Sequence, residues 1–249
     1  MRIALFGHGA MGQLVEARAE SEGHEIALVL TSSNGARVGA CVGEPRAEEL
    51  AARLRGLEVA IDFSVAGAVL ANVEACALAR VPLVVGTTGW REHEPVVRSL
   101  ISQHDGALIY GANFSVGVNL FYRIVARAAE LFSGFAAYEP FIEEAHHARK
   151  RDAPSGTALV LCDIVAASFA RDIPVASTRA GHIPGTHRVG FDSAADQIML
   201  THMARSRAGF AEGALLAARW IQGRRGVYEF SEMMDELLKE RLKSDDDES

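Results

Sequence analysis

The densest run of reactive side chains is Glu143-Glu144-Ala145-His146-His147-Ala148-Arg149-Lys150-Arg151-Asp152-Ala153-Pro154-Ser155-Gly156-Thr157. It holds two imidazoles that titrate near neutral pH, the Lys150 ammonium, and a Pro-Ser-Gly-Thr segment that reads as the opening of a helix. Pro154 suits a first helical turn, where its missing N–H costs nothing. Ser155, Gly156 and Thr157 then offer backbone N–H groups and two hydroxyls at a helix N-terminus, where the dipole favours an anion. With Lys150 nearby, these groups suit a carboxylate or phosphate on a small substrate. On a regular strand His146 and His147 face opposite sides, so only one enters a site unless the strand ends there. A metal reading would recruit His182, His187 or His202. Adjacent strand histidines chelate poorly, and no Cys or H-x-x-x-H spacing supports them, so no metal is expected. A solvated basic loop is the bland alternative for Arg149-Lys150-Arg151.

The second chemical feature is Gly7-His8-Gly9-Ala10-Met11-Gly12, a G-x-G-x-x-G between a strand and a helix at the start of the chain. The first glycine permits the tight turn, the second lets backbone approach a pyrophosphate, and the third allows close packing. A carboxylate that would accept the ribose hydroxyls of NAD is expected about 20 residues further on. The chain instead reads Leu30-Thr31-Ser32-Ser33-Asn34, with Arg37 close by. Hydroxyls, an amide and an arginine suit a 2′-phosphate, so NADPH is expected to serve at least as well as NADH. Three further segments follow predicted strands, where ligands of open α/β sheets bind. They are Asp62-Phe63-Ser64, Gly86-Thr87-Thr88-Gly89 and Gly111-Ala112-Asn113-Phe114. The candidate cofactor contacts are therefore Gly7, His8, Gly9, Ala10, Met11, Gly12, Thr31, Ser32, Phe63, Gly86, Thr87, Thr88, Gly111, Ala112, Asn113 and Phe114.

The elements that must position these residues fall into two patterns. Compact apolar runs at Arg2–Phe6, Ile26–Leu30, Val59–Phe63, Leu83–Val85 and Leu108–Tyr110 alternate with helical patterns at Met11–Glu22, Val69–Arg80 and around Pro95–Gln103. Such runs predict strands buried on both faces, in a parallel sheet flanked by helices. After Gly111 come a helix at Asn119–Phe132, a strand at Tyr138–Ala145 and a helix at Ser155–Phe169. Strands at Val175–Arg179, His187–Phe191 and Ile198–His202 follow, then a helix at Gly209–Trp220. That grouping predicts an α+β unit with a mixed sheet. Phe230, Met233, Met234, Leu237, Leu238 and Leu242 form one apolar stripe on a last helix.

The expected fold is α/β: a Rossmann-like domain of residues 1–114 and 222–249, with an inserted α+β substrate domain of residues 115–221. The 249 residues are 49% hydrophobic and 23% charged, which excludes bulk disorder. The net charge is −7, and Asp245-Asp-Asp-Glu248 supplies four of the negatives, so no nucleic-acid partner is expected. Cys41, Cys76 and Cys162 show no paired spacing, which reads as three thiols in a reducing compartment. No apolar run nears the roughly 18 residues of a membrane span, and no signal peptide is visible, so a cytoplasmic protein is expected.

The run Glu144-Ala-His-His-Ala-Arg-Lys150-Arg-Asp-Ala-Pro-Ser-Gly-Thr157 resembles the signature E-x-H-H-x-x-K-x-D-A-P-S-G-T of the 4-hydroxy-tetrahydrodipicolinate reductase (dihydrodipicolinate reductase) family. Gly7–Gly12, Gly86-Thr-Thr-Gly89 and Asn113-Phe-Ser-Val-Gly117 match in order. So do Arg179-x-Gly181-x-Ile183-x-Gly185-x-His187 and Ile198-x-x-Thr201-His202. The resemblance covers nearly the whole chain. It implies an NAD(P)H-dependent reductase that acts on a small cyclic imine dicarboxylate, in the diaminopimelate route to lysine, as a homotetramer built through the sheets of the second domain. By motif, His146 is the implied proton donor or acceptor, and His147 a substrate contact. Lys150 is a proton donor that also holds a carboxylate, and Ser155, Gly156 and Thr157 form the substrate cradle. Thr31 stands where members often carry the ribose-binding acid, so the choice between NADPH and NADH stays open. Thr186 and His182 replace commoner residues of the Arg179–His187 loop, which implies changed packing rather than changed chemistry.

Overall fold

The computed structural model describes residues 1–31 and 47–247, with side chains through Arg241. Ser32 and its neighbours Ser33, Asn34, Arg37 and Cys41 lie outside the described residues. The chain divides into two units, residues 1–115 with 208–249, and residues 116–207.

The first unit is built on a six-stranded, all-parallel sheet. Its strands are β1 (Arg2–Phe6), β2 (Glu25–Leu30), β3 (Val59–Asp62), β4 (Leu83–Val85), β5 (Ala107–Tyr110) and β10 (Gly226–Glu229). Their order is β10-β5-β4-β3-β1-β2. Strands β3, β4 and β5 are buried along their whole length, and β1 at all but its first residue. The continuous apolar runs of the sequence match this two-sided burial. The helices of this unit are α1 (Ala10–Ser21), α2 (Ala47–Leu54), α3 (Ala66–Ala79), α4 (Glu94–Gln103), α7 (Ala208–Trp220) and α8 (Phe230–Asp247). Strand β1 pairs with β2 on one side and β3 on the other. The winding direction therefore reverses between β1 and β3, the point where such sheets open a ligand crevice.

The expected boundaries need one correction. The sequence pattern places residues 208–221 in the inserted domain, but α7 packs on α1, β3 and β4 of the first unit. Its apolar face is wide, with Ala211, Ala214, Leu215, Ala217 and Ala218 all buried, and it covers the sheet. Two short elements carry too little pattern to be read from sequence, α2 and the four-residue edge strand β10. In α8 the predicted stripe is buried at Phe230, Met233 and Met234 and only partly covered at Leu237 and Leu238.

The second unit pairs two helices, α5 (Val116–Ser133) and α6 (Gly156–Phe169), with a mixed four-stranded sheet. The strands β6 (Glu139–His146), β7 (Val175–Arg179), β8 (Thr186–Asp192) and β9 (Gln197–Met203) lie in the order β7-β6-β8-β9. Strand β7 runs parallel to β6, while β8 and β9 are antiparallel neighbours. Along β6 the burial alternates strictly, with Pro140, Ile142, Glu144 and His146 on the covered face. Packed against that face is an apolar core that includes Phe121, Val125, Leu161, Val165, Val189 and Phe191.

Candidate active site

In the first unit the glycine turn follows β1 and opens α1. Gly7 has φ +86°, and a Cβ there would lie 2.4 Å from the carbonyl oxygen of Phe63, where the end of β3 crosses it. A Cβ on Gly12 would lie 2.2 Å from the Gly7 carbonyl oxygen. Gly9 caps α1 without any side-chain hydrogen bond, and a Cβ there would meet nothing within 4 Å. The second glycine is thus the open one, at the start of α1, and it has no side chain of its own to cap the first N–H groups of that helix. This geometry fits a pyrophosphate. The His8 ring is engaged with α1, its Nε2 lying 2.7 Å from Glu16 Oε2.

A buried carboxylate organises the turns after β3 and β4. Asp62, at the end of β3, is fully buried. Its Oδ1 accepts hydrogen bonds from the Ser64 backbone and hydroxyl (2.8 and 2.6 Å) and from Thr87 Oγ1 (2.8 Å), and its Oδ2 accepts from Asn72 Nδ2 (2.8 Å). These bonds fix the turns after β3 and β4 to each other. The only sequence signal for Asp62 is an acid closing an otherwise apolar strand.

Three of the candidate contacts are engaged within the protein itself. The Thr87 hydroxyl is buried and committed to Asp62, so its side chain holds the turn together. The Phe114 ring is 1% exposed and packs on Phe230 and Phe63, so it belongs to the core. Gly111 is backed by Phe230, 2.9 Å from where its Cβ would be. Thr88 and Ala112 remain exposed, and Phe63 lies across Gly86. Asn113 Oδ1 accepts from the Ser115 N–H, which shapes the turn after β5.

In the second unit the strand register assembles the polar residues. Ser177 of β7 and His187 of β8 both stand opposite Glu144, and His202 of β9 stands opposite His187. Directly paired residues share a face, so one row crosses the sheet as Ser177, Glu144, His187 and His202. Arg179 stands opposite His146. Glu144 Oε1 accepts from Ser177 Oγ (2.7 Å), Arg179 Nη2 (2.6 Å) and the Ser155 N–H (3.2 Å). Its Oε2 lies 2.7 Å from His146 Nδ1. Burial alone would raise the Glu144 carboxyl, but the donors of Ser177, Arg179 and Ser155 hold it down to about 2. Burial, with the positive charges of Lys150 and Arg179, lowers His146 despite the opposing pull of Glu144. His187 is lowered to about 4, first by burial and then by its imidazole neighbour.

β6 ends at His146, so His147 lies just past it and is not bound by strand alternation to face away from its neighbour. Lys150 is half-buried and pairs with Asp152 at 2.9 Å, and Arg179 Nη2 also bonds the Asp152 carbonyl oxygen at 2.5 Å. Ser155 is the N-cap of α6, not part of a first turn begun by Pro154; the latter sits before the cap, after a cis peptide bond. The expected offer of Ser155 to an anion is also corrected. It is 2% exposed, its N–H goes to Glu144, and its hydroxyl bonds the Ala158 N–H and lies 3.1 Å from His187 Nε2. Gly156 is exposed at the first helical position, and Thr157 follows it, with a side-chain hydrogen bond to Tyr122.

Among the described residues Glu144, His146 and His187 bring three possible metal-ligand atoms within 4.8 Å, joined by strand pairing and not by any sequence spacing. The Arg179 guanidinium already neutralises that carboxylate, and a cation there would face it at short range. The donor set therefore suits an oriented imidazole better than a metal ion.

These shifts set a pH dependence of stability. His24, His146, His187 and His202 are all lowered in the folded state. The unfolded chain therefore binds more protons below pH ~6.5, and stability rises with pH across that window. For His187 the contribution is complete above its unfolded value and lost as pH falls through about 4. Its size is on the order of 3 kcal/mol. Glu144 adds a loss of the same sign as pH falls from 4.5 through about 2. Denaturant unfolding followed from pH 7.5 to 4 should show a steady loss of stability. A rise on acidification would mean these imidazoles are not held neutral.

Two family models match the chain, one described as dihydrodipicolinate reductase, N-terminus, over residues 1–114, and one as dihydrodipicolinate reductase, C-terminus, over residues 117–234. A 4-hydroxy-tetrahydrodipicolinate reductase of Christiangramia forsetii is 34% identical over 251 residues, covering 96% of this chain and all of the relative. One from Thiobacillus denitrificans is 36% identical over 265 residues, covering 94% of this chain and 98% of the relative. Among solved structures, the dipicolinate-bound dihydrodipicolinate reductase of Paenisporosarcina sp. TG-14 superposes with a TM-score of 0.78. It is 22% identical, with 93% of this chain and 98% of that chain covered, a likeness of fold.

Proposed function

The chain belongs to the dihydrodipicolinate reductase family, and from that premise we propose how its residues carry out the NAD(P)H-dependent reduction of 4-hydroxy-tetrahydrodipicolinate to tetrahydrodipicolinate. The reaction lies in the diaminopimelate route to lysine. The observation that carries the reading is the grouping, around the end of β6, of His146 with its lowered pKa, the Lys150 ammonium and the start of α6. Bound NAD(P)H supplies a hydride to the substrate ring. Hydride addition builds negative charge on the conjugated imine, and a nearby acid must neutralise it. His146 and Lys150 are the groups that handle that proton. Lys150 and the N–H groups of Gly156 and Thr157 receive the substrate carboxylates, as ammonium groups and helix starts do. His147 is a further substrate contact, and Ser155 acts by capping the helix that carries the cradle.

For the cofactor, Gly7, His8, Gly9, Ala10, Met11 and Gly12 hold the pyrophosphate. Thr31 and Ser32 meet the adenosine ribose or its 2′-phosphate. Phe63, Gly86, Thr88, Ala112 and Asn113 line the nicotinamide side, with Thr87, Gly111 and Phe114 behind them. NADPH serves at least as well as NADH, because no acid at Thr31 repels a 2′-phosphate. The protein works as a homotetramer in the cytoplasm. In support, the edge strand β9 exposes Ile198, Met199 and Met203, and an uncovered apolar edge invites pairing. No helix among the described residues is long and apolar enough to cross a membrane.

Thermal unfolding tests the reading, because a ligand that binds only the folded state raises Tm by mass action. Pyridine-2,6-dicarboxylate, an unreactive planar dicarboxylate, should raise Tm, and so should NADPH, by at least as much as NADH. No shift with the dicarboxylate would refute the assigned substrate class. A strong preference for NADH in kcat/KM would refute the cofactor assignment.

A further inference from the structure

Glu144 joins parts of the site that are far apart in sequence. One oxygen collects three donors, from Ser177 on β7, Arg179 at its end, and the backbone of Ser155 at the start of α6. The other oxygen is left facing His146 Nδ1. We infer that Glu144 is a positioning residue of the reduction: it fixes His146 with its resting hydrogen on Nδ1, so that Nε2 is the atom that takes up and passes on the proton of the reaction, and it ties that imidazole to the start of the substrate cradle.

The inference rests on the reading that His146 handles the proton. Its geometry is independent of that reading. An ionised carboxylate has no proton to give, and a lone pair on Nδ1 would be repelled by Oε2 at 2.7 Å, so the hydrogen on the side of Glu144 belongs to the imidazole. The tautomer of a catalytic histidine is set in this way by the partner of its other nitrogen. Around His146 stand Glu144 on the same strand, Arg179 from β7, Lys150 from the following turn and His187 from β8, whose ring centre is 5.0 Å away. The carboxylate is the only one of these that favours an imidazolium. Gly185 completes the arrangement. A Cβ there would lie 3.2 Å from His146 Nε2, so its lack of a side chain keeps that nitrogen uncovered. Arg179 extends the tie to the turn that carries Lys150 through the Asp152 carbonyl oxygen.

Glu144→Gln tests this directly. The three donors select the amide oxygen, which turns the amide nitrogen toward His146. Nδ1 must then accept, and the proton moves to Nε2. Imidazole 15N chemical shifts of the full chain at pH 7.5 should report Nδ1–H in the parent and Nε2–H in Glu144→Gln. The variant should lose about 100-fold in kcat while the KM for the cofactor stays within about twofold. The ionisation of His146 should move to lower pH, because the opposing carboxylate is gone. Glu144→Asp, which keeps the charge, should recover part of kcat and the parental tautomer. An Nε2–H parent would overturn the inference. So would a Glu144→Gln enzyme with parental kcat and pH profile and only a lower Tm. If Glu144→Gln does not fold, the parent tautomer and Glu144→Asp decide. An inactive parent would overturn the proposed function instead, and the tautomer would still decide the role of Glu144.

Discussion

Replacing Lys150 by Ala should lower kcat/KM for the dicarboxylate about 10³-fold, both through kcat and through weaker substrate binding. The side chain is half-buried, and among the described residues its ammonium pairs with Asp152, whose own carboxylate is largely exposed. An incoming substrate carboxylate can take over that charge in a partly desolvated setting. Truncating one member of such a charge pair costs roughly 3–5 kcal/mol, and each 1.36 kcal/mol of transition-state stabilisation is about tenfold in rate. The Kd for NADPH should stay within about twofold of the parent, because Lys150 belongs to the second unit and the glycine turn to the first. Lys150→Arg should recover little, since a planar fork does not replace a compact ammonium. Steady-state kinetics with a separate cofactor titration checks this. A Lys150→Ala enzyme within a few-fold of the parent in kcat/KM would remove Lys150 from the mechanism.

Substitutions in the glycine turn should separate binding from stability. Gly9→Val places its side chain in open space at φ −75°, a conformation any residue adopts. Stability should change by less than about 0.5 kcal/mol. The valine would nevertheless cover the N–H groups at the start of α1, and the cofactor Kd should rise at least about 100-fold. Gly12→Val has no such space, because its Cβ would overlap the Gly7 carbonyl oxygen. The turn and α1 must separate, and unfolding free energy should fall by roughly 2–4 kcal/mol, with cofactor binding lost as a consequence. Denaturant unfolding and cofactor titration on both variants distinguish the cases. Equal destabilisation of the two would mean that the second glycine is required for packing and not for a ligand.

These two regions differ in how much of them could be read from the sequence. The glycine turn is local. Strand, turn and helix are contiguous in residues 2–21, and the spacing of Gly7, Gly9 and Gly12 carries the geometry. Most strands and helices were equally legible, because two-sided burial and amphipathic stripes leave periodic signals. Short α2 and β10 were not, since four to eight residues carry too few periods. The placement of α7 was not legible either. A helix buried across a wide face carries no sign of which sheet it covers, and only packing on α1, β3 and β4 assigns it.

Within the second unit, the sequence by itself determined the reactive inventory: His146, His147, Lys150 and the helix start at Ser155-Gly156-Thr157. Whether His146 and His147 diverge was left to where the strand ends, and β6 ends at His146, so strand alternation does not part them. The sequence did not determine which groups act and which support them. Ser155 looked like an anion donor and is a buried cap tied to Glu144 and His187. Glu144 looked like one more charged residue and is the node of the site. That difference was decided by the tertiary structure, through the register of β6 with β7 and β8, which sets Ser177 and His187 beside Glu144 and Arg179 beside His146. Partners 33 to 43 residues away in sequence leave no local periodicity for a reader to find. They are selected only when the strands pair and the buried carboxylate must find donors for its lone pairs.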